Sequence, residues 1–493
     1  MIIPIFRHAR QLALGACVAG LTGGLASTAP RVIAEICDQP HFVATKHVPS
    51  HSTLFDIGIA DLNSDGKQDL AIVSDSGLLI SLADNEGGFG RVLEYNSGAG
   101  SSSLAIGDFN SDGAPDVATN GYTNVAVLLN DGQGGFSAPV FLIAGEQPMK
   151  VATGDFNNDG RLDLAVANFA SADVSIFLGD GTGGFGPALK LAVGTSPNGL
   201  ATGDFDSDGR LDLAVAEYGS MDLRVFDGNG DGHFTAGPVY LLGGNAASVV
   251  ATDFNGDGNP DLAVNVFNIF PNEHVATFLG NGDGTFGAGA EIVAPVFRSL
   301  VAADLNGDGN IDLAVTVASE VKAVEVALGD GTGNFGPLDR TIFPRGTGDA
   351  FGIAAGDLDG YGNLDLATAN YASSDASVFL NLPLVGLRAG GGSASEDGAK
   401  SRFTVRRQGC NADPLTVHYT VGGTATNGLD YQPLSGSVTI PAGKDFASVT
   451  IVPIDDSIVE GTETITPSLS PDPHYGLRTH ERVTLVMFLV DND

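Results

Sequence analysis

Asp155-Phe156-Asn157-Asn158-Asp159-Gly160-Arg161-Leu162-Asp163 decides the fold of this chain, because the pattern is written seven times. The copies begin at Asp61, Asp108, Asp155, Asp204, Asp253, Asp304 and Asp357, at intervals of 47, 47, 49, 49, 51 and 53 residues. All keep Asp at positions 1 and 9, Asn or Asp at position 3 and Gly at position 6, and six keep Asp at position 5. Self-similarity at that period marks a repeat architecture.

The chemistry of the repeat is oxygen ligation of a hard cation. Side-chain oxygens at positions 1, 3 and 5 converge only if the chain turns sharply, and the Gly at position 6 permits that turn. A backbone carbonyl near position 7 and the Asp at position 9 would complete a shell of roughly six to eight oxygens, which suits Ca2+. Mg2+ demands a stricter octahedron, and Zn2+ wants His or Cys. The expected ligands are Asp61, Asn63, Asp65 and Asp69; Asp108, Asn110, Asp112 and Asp116; Asp155, Asn157, Asp159 and Asp163; and Asp204, Asp206, Asp208 and Asp212. Continuing along the chain they are Asp253, Asn255, Asp257 and Asp261; Asp304, Asn306, Asp308 and Asp312; and Asp357, Asp359 and Asp365. No Glu stands at position 12 and the flanks read as strands, so this is not an EF-hand. A bare Asp/Asn/Gly turn uses the same residues, but seven in-phase copies argue against it.

A chain of 493 residues is long enough for two or more domains with full cores. Gly is frequent, helix punctuation is scarce and Val/Ala/Leu alternation is widespread, so an all-β class is expected. The formal net charge is -36, and the seven loops supply 22 of the 59 acidic residues. A nucleic-acid partner is excluded on these grounds, since the phosphate backbone would be repelled and no basic stripe exists.

Residues 1–29 read as a secretory signal. Arg7, His8 and Arg10 form a basic start, Leu12 to Ala26 is apolar and small, and cleavage is expected after Ala26 or Ala29. The run is too short and Gly-rich to span a bilayer comfortably, and no other segment is suited to do so. The expected location is secreted, cell-surface or periplasmic. Cys17 would leave with the signal, and the remaining Cys37 and Cys410 are no disulfide framework.

Residues 41–381 hold the repeats. In the unit from residue 151, strands are expected at 151–156, 162–167, 174–178 and 186–193. The second and third are separated by the loop Asn168 to Asp173, and Gly179 to Gly184 forms a hairpin turn before the fourth. Four strands in about 48 residues is the size of a propeller blade. Six units carry a Phe in the turn before the fourth strand, and the seventh has none. Phe42 stands 19 residues before Asp61, as Phe89 does before Asp108 and Phe136 before Asp155. Phe42 and the residues after it are therefore expected to supply the missing fourth strand of the last blade and close the ring, leaving no open sheet edge.

The repeats resemble the FG-GAP/VCBS family, found also in the integrin α-subunit propeller. Asp-Phe-Asn-x-Asp-Gly-x-x-Asp-Leu-Ala-Val and the Gly-Asp-Gly-x-Gly-x-Phe-Gly turn carry the resemblance. It implies a seven-bladed β-propeller, with up to seven Ca2+ in the loops joining the first two strands of each blade. The seventh loop departs from the pattern, with Tyr361 at position 5, so its site is expected to be weakest or empty. Loops of this kind fall on one face of the ring. On the other face the sequence repeats an aromatic residue: Tyr122, Phe169, Tyr218, Phe267 and Tyr371. These rings either stack on sugars, anchor a protein partner, or plug the space between blades.

Gly390 to Ser393 reads as a flexible connection, and a linker is expected over 382–392. Residues 393–493 then alternate as strands with one buried face, notably Leu415 to Val421 and Ala447 to Val452, at the size of an immunoglobulin-like sandwich. This part resembles the Calx-β family, on Gly423-Thr-Ala425, Asp430-Tyr431, Ile454-Asp-Asp456, Glu460-Gly-Thr-Glu463 and Val490-Asp-Asn-Asp493. The resemblance implies that Glu396, Asp430, Asp455, Asp456, Glu460, Glu463, Asp491 and Asp493 meet at one end of the sandwich and bind calcium.

No zinc-protease, serine-hydrolase, phosphate-loop or dinucleotide motif occurs. His41, His47 and His51 cluster without an identifiable acid partner. The expectation is an exported, monomeric calcium-binding interaction or adhesion protein, with a protein or glycan ligand at a cell surface. The competing expectation is a secreted polysaccharide lyase or hydrolase with its site on the aromatic face.

Overall fold

The computed structural model describes residues 40–491 apart from 41, 85–87, 99, 268–272, 294–296, 318–322, 343–348, 410–413, 460 and 478–481. The expected signal segment, the three cysteines and His41 lie outside the described residues.

Seven antiparallel four-stranded sheets make the propeller. Blade three shows the plan: Pro148–Gly154, Asp163–Asn168, Asp173–Phe177 and Leu189–Ala192, each paired with the next. The acidic loop joins its first two strands, where the sequence puts it. The strands themselves sit one to a few residues from their expected bounds, the second at Asp163–Asn168 against 162–167.

Alternation fails inside the ring. Asp163–Asn168, Asp212–Glu217 and Asp365–Asn370 are buried at every residue. A strand in the middle of a blade has a neighbouring blade on each face, so both faces must be apolar or internally satisfied. Small residues make the stack possible: Ala165, Ala214, Ala314 and Ala367 are all fully buried.

The ring closes as expected. Phe42–Pro49 pairs antiparallel with Asp375–Asn381, with Phe42 opposite Asn381, as the outermost strand of blade seven. The first strands of blades seven and one, Ala350–Gly356 and Leu54–Ala60, also lie against each other.

Position 2 of each acidic loop ties one blade to the next. Phe109, Phe156, Phe205 and Phe254 each stand edge-on to the turn Phe of the following blade, at 5.3–5.7 Å between ring centroids. Such pairs add about 0.5–1.5 kcal/mol beyond the area they bury. Where position 2 is Leu, the same packing persists: Leu358 of blade seven sits in one cluster with Phe89 of blade one, and Leu305 of blade six with Phe42. Backbone bonds reinforce these joints, with Gly183 N donating to Phe109 O and Gly232 N to Phe156 O, both at 3.0 Å.

The expected linker is not one. Leu384–Ala389 is a strand paired with Ser401–Gln408, so the second domain begins at residue 384 and only Leu382 and Pro383 separate it from blade seven. The glycine run at 390–392 lies beyond Leu384-Val-Gly-Leu387, whose Val385 and Leu387 are buried in the second core. That domain is a sandwich of a four-stranded and a five-stranded sheet. Here alternation does hold: Ser401–Gln408 and Leu415–Gly423 bury every second residue along most of their length. Phe403 and Tyr419 meet edge-on at its centre, 5.2 Å apart.

Candidate cation-binding loops and the opposite face

Each acidic loop is held by its own backbone amides. In blade three, Asp155 Oδ1 accepts from Asp159 N at 3.0 Å and Oδ2 from Gly160 N at 2.8 Å. Asn157 Oδ1 accepts from Asp159 N, and Asp159 Oδ1 from Arg161 N, both at 3.0 Å. The loop turns through two left-handed residues, Asn158 (φ 57°) and Gly160 (φ 83°). Position 6 is Gly for this dihedral and not for space, since a Cβ on Gly160 would meet nothing within 4 Å. Position 4 is the residue that reading the repeat missed. Ser64, Ser111, Asn158 and Ser207 all have φ of 57–61°, and Gly256, Gly307 and Gly360 take the place elsewhere. The restriction of position 4 to Ser, Asn and Gly was the available signal.

These bonds gather carboxylates that would otherwise repel. Asp204, Asp206 and Asp208 bring one oxygen each within 4.8 Å of one another. Ion pairs join position 5 to the cation at position 7 in three loops: Lys67 to Asp65 at 3.3 Å, Arg161 to Asp159 at 3.7 Å and Arg210 to Asp208 at 3.0 Å. All three are solvent-facing and worth little. The donor set is oxygen throughout, which fits Ca2+ and excludes a thiolate or imidazole site.

Position 9 does a second task. Asp163 is fully buried; its Oδ2 accepts from Phe156 N at 2.8 Å and its Oδ1 from Gly179 N at 2.7 Å. Asp69, Asp116, Asp212, Asp261, Asp312 and Asp365 make the same two bonds in their own blades. Each therefore welds the acidic loop to the end of the third strand. Burial pushes these carboxyls up, the two amides pull them back, and the other loop carboxylates push again. The result is about 6 for Asp69, Asp116, Asp163 and Asp212, and about 7 for Asp312. Burial, then the nearby Asp359, take Asp365 to about 8. A cation in the loop would relieve all of these.

In blade seven Asp357, Asp359 and Asp365 stay within 4.8 Å of one another, but Tyr361 offers no carboxylate. At the sandwich, topology gathers most of the expected residues at one end. Glu396 N donates to Val490 O at 3.1 Å, Ile454 N to Asp430 O at 2.9 Å, and Gly461 N to Asp491 Oδ2 at 2.9 Å. Glu396 and Asp430 are buried there, whereas Asp455 and Asp456 are exposed. Glu460 and Asp493 lie outside the described residues. Among the described residues, no three acidic side chains at this end, Glu463 and Asp491 included, come as close as those of the ring loops.

The opposite face carries the aromatics. Tyr122 is 68% exposed, Tyr371 44% and Tyr218 37%. Phe169 packs on Tyr218 at 6.2 Å, and Tyr371 joins Phe55 and Phe351 in a cluster at 5.4–6.0 Å, so these rings do seal blade junctions. Between blades two and three a cleft of about 210 Å³ remains, lined by Ser102, Tyr122, Gln147, Pro148, Met149 and Phe169. The same face holds a buried cluster that sequence reading missed. In blades three and seven, Asn168 and Asn370 donate to Asp173 and Asp375 across the strand pair. In blade four the pair is Glu217 and Asp222, with Arg224 Nε 3.7 Å from Glu217.

The FG-GAP-like repeat family matches residues 61–119, 108–166, 155–215, 204–264 and 304–368, spans that contain all seven acidic loops. The Calx-beta domain family matches residues 384–487. No curated protein matches the chain. Among solved structures, an Agrocybe aegerita lectin described as recognising non-reducing terminal N-acetylglucosamine is 21% identical, over 65% of this chain and 86% of its own, at a TM-score of 0.46. The apo-form Calx CBD1 domain is 23% identical over 23% of this chain and 99% of its own, at a TM-score of 0.20. No helix among the described residues is long and apolar enough to cross a membrane.

Proposed function

The chain belongs to the FG-GAP-like repeat family and carries a Calx-beta domain, and from that premise we propose an exported interaction protein whose ring is stiffened by calcium. The observation that carries this reading is the loop of blade four. Three carboxylates lie within 4.8 Å of one another, held there by amides, with one solvent-facing arginine as counter-charge. Such an arrangement is costly alone and favourable around a divalent cation.

Calcium acts here on structure. At millimolar ion, sites with dissociation constants of 10^-4 to 10^-3 M contribute about 0.4–1.4 kcal/mol each, so six or seven sum to roughly 3–10 kcal/mol. Because position 2 of each loop is also the joint to the next blade, an ion that fixes the loop fixes the ring. The ligand face is the opposite one, where Tyr122 and Phe169 flank the open cleft, and a protein or glycan partner in adhesion is the class it suits.

The test is a melting curve of the mature protein across calcium concentrations, with magnesium as control. A calcium-specific rise in the midpoint of the propeller transition is expected. An unchanged midpoint up to 10 mM calcium would overturn the calcium reading of the loops.

A further inference from the structure

The seventh acidic loop is the one that meets the second domain. Leu382 is buried in the core of blade seven and Pro383 follows it, its carbonyl accepting from Gly476 N at 3.0 Å. Gly476–Leu477 runs parallel to Leu384–Val385, so the sandwich segment around residue 476 is fastened to the connection itself. From that segment His474 reaches the acidic loop: its ring stands against Tyr361, 4.4 Å between centroids and 61° between planes. Asp472 positions the imidazole, accepting from His474 N at 3.0 Å and contacting His474 Nδ1 through the same oxygen. Tyr475 is buried in the sandwich core, and its hydroxyl donates to Ser470 O at 2.8 Å. The segment that presents His474 is thus anchored at both ends.

We propose that this loop has exchanged a cation ligand for a docking contact, and that its partner is the chain's own sandwich. Position 5 is Asp in six loops and Tyr in this one. It is also the only one of the seven loops with a described ring contact to the second domain. An Asp at position 361 would face His474 with a hydrated carboxylate and recruit the ion; a Tyr offers a flat apolar edge and leaves the ion short of a ligand. With only two residues between the domains, the contact is intramolecular at high effective concentration, so this partly exposed pair adds to the Gly476–Pro383 bond in favouring one orientation.

The docking fixes what the sandwich presents. Leu384, Leu469 and Gly476 lie at its near end by register, and the pairs Gly423 with Ile465 and Glu463 with Leu489 lie at the far end. The acidic end around Glu396, Asp430 and Asp491 therefore points away from the ring.

The experiment compares full-length wild type with Tyr361→Ala, Tyr361→Asp and His474→Ala by small-angle X-ray scattering and calcium titration calorimetry. Wild type should scatter as one compact two-domain body. Tyr361→Ala and His474→Ala should both give a larger radius of gyration and a broadened distance distribution, with both melting transitions retained. Tyr361→Asp should do the same and bind about one more calcium per chain. A hinge-like wild-type profile, or profiles unchanged in Tyr361→Ala and His474→Ala, would overturn the docking. Unchanged calcium stoichiometry in Tyr361→Asp would overturn the exchange.

Discussion

An acidic loop of the ring and the acidic end of the sandwich meet the same problem in different ways. In the ring, Asp155, Asn157 and Asp159 are each bonded to amides of their own loop, and Asp163 bonds the loop to the next strand pair. In blade four such bonding leaves three carboxylates within 4.8 Å of one another before any ion arrives. At the sandwich end the acidic residues come from four separate segments; Glu396 and Asp430 are buried, but Asp455 and Asp456 remain exposed. An ion there would have to draw in that exposed pair itself. Charge built into a scaffold is a standing cost that a cation relieves; exposed charge such as that of Asp455 and Asp456 is a solvated surface until something orders it.

The hardest way to break the comparison is to open the ring. Deleting Phe42–Pro49 exposes the edge of Asp375–Asn381 and removes Phe42 from the joint with Leu305. Loss of the cooperative propeller transition in calorimetry is expected, with the sandwich transition kept. A propeller that melts unchanged would mean that closure does not carry its stability.

A single carboxylate sharpens it. Asp163→Ala leaves two buried amides, Phe156 N and Gly179 N, without their acceptor. Destabilisation of about 2–4 kcal/mol in chemical denaturation is expected, present with or without calcium. Asp455→Ala and Asp456→Ala should stay within about 0.5 kcal/mol in the absence of calcium, as exposed sites do. If Asp163→Ala costs as little as these, position 9 is a ligand only and not a weld.

How far the sequence could be read follows the same division. The repeat was legible because ring closure and loop chemistry both demand fixed residues at fixed intervals, so Phe42 was identified as an orphan strand from a spacing alone. The two-domain boundary is not legible in the sequence because Leu384-Val-Gly-Leu387 has the same apolar character as the blade before it, while the glycines after it look like punctuation. Position 9 was legible as an acid but not as an acceptor of amides from two strands, because that pairing is tertiary. Likewise Tyr361 was legible as a defect in an ion site, and its contact with His474, more than a hundred residues away in sequence, was not.

Glu217 tests the comparison where it should be subtlest: a buried carboxylate on the opposite face, far from any acidic loop's relief. Burial raises it, and so does Asp222 across the strand pair, to about 7 from 4.5; Gly194 N and Arg224 only partly oppose this. In the folded chain Glu217 holds its proton to higher pH than in the unfolded chain. Its contribution to stability is therefore full below about pH 4.5, declines as pH rises through that window, and is gone above about pH 7. Blade three shows the remedy, since Asn168 donates its amide to Asp173 at the equivalent pair. Glu217→Gln should match wild type at pH 4 and exceed it by about 1–2 kcal/mol at pH 8, measured by denaturation in saturating calcium so that the loop carboxylates do not contribute. Equal stabilities at both pH values would show that Arg224 already neutralises the pair. A variant less stable than wild type at pH 8 would show that the charge itself is wanted on this face, in which case Glu217 and Tyr218 beside it should be sought in the ligand contact.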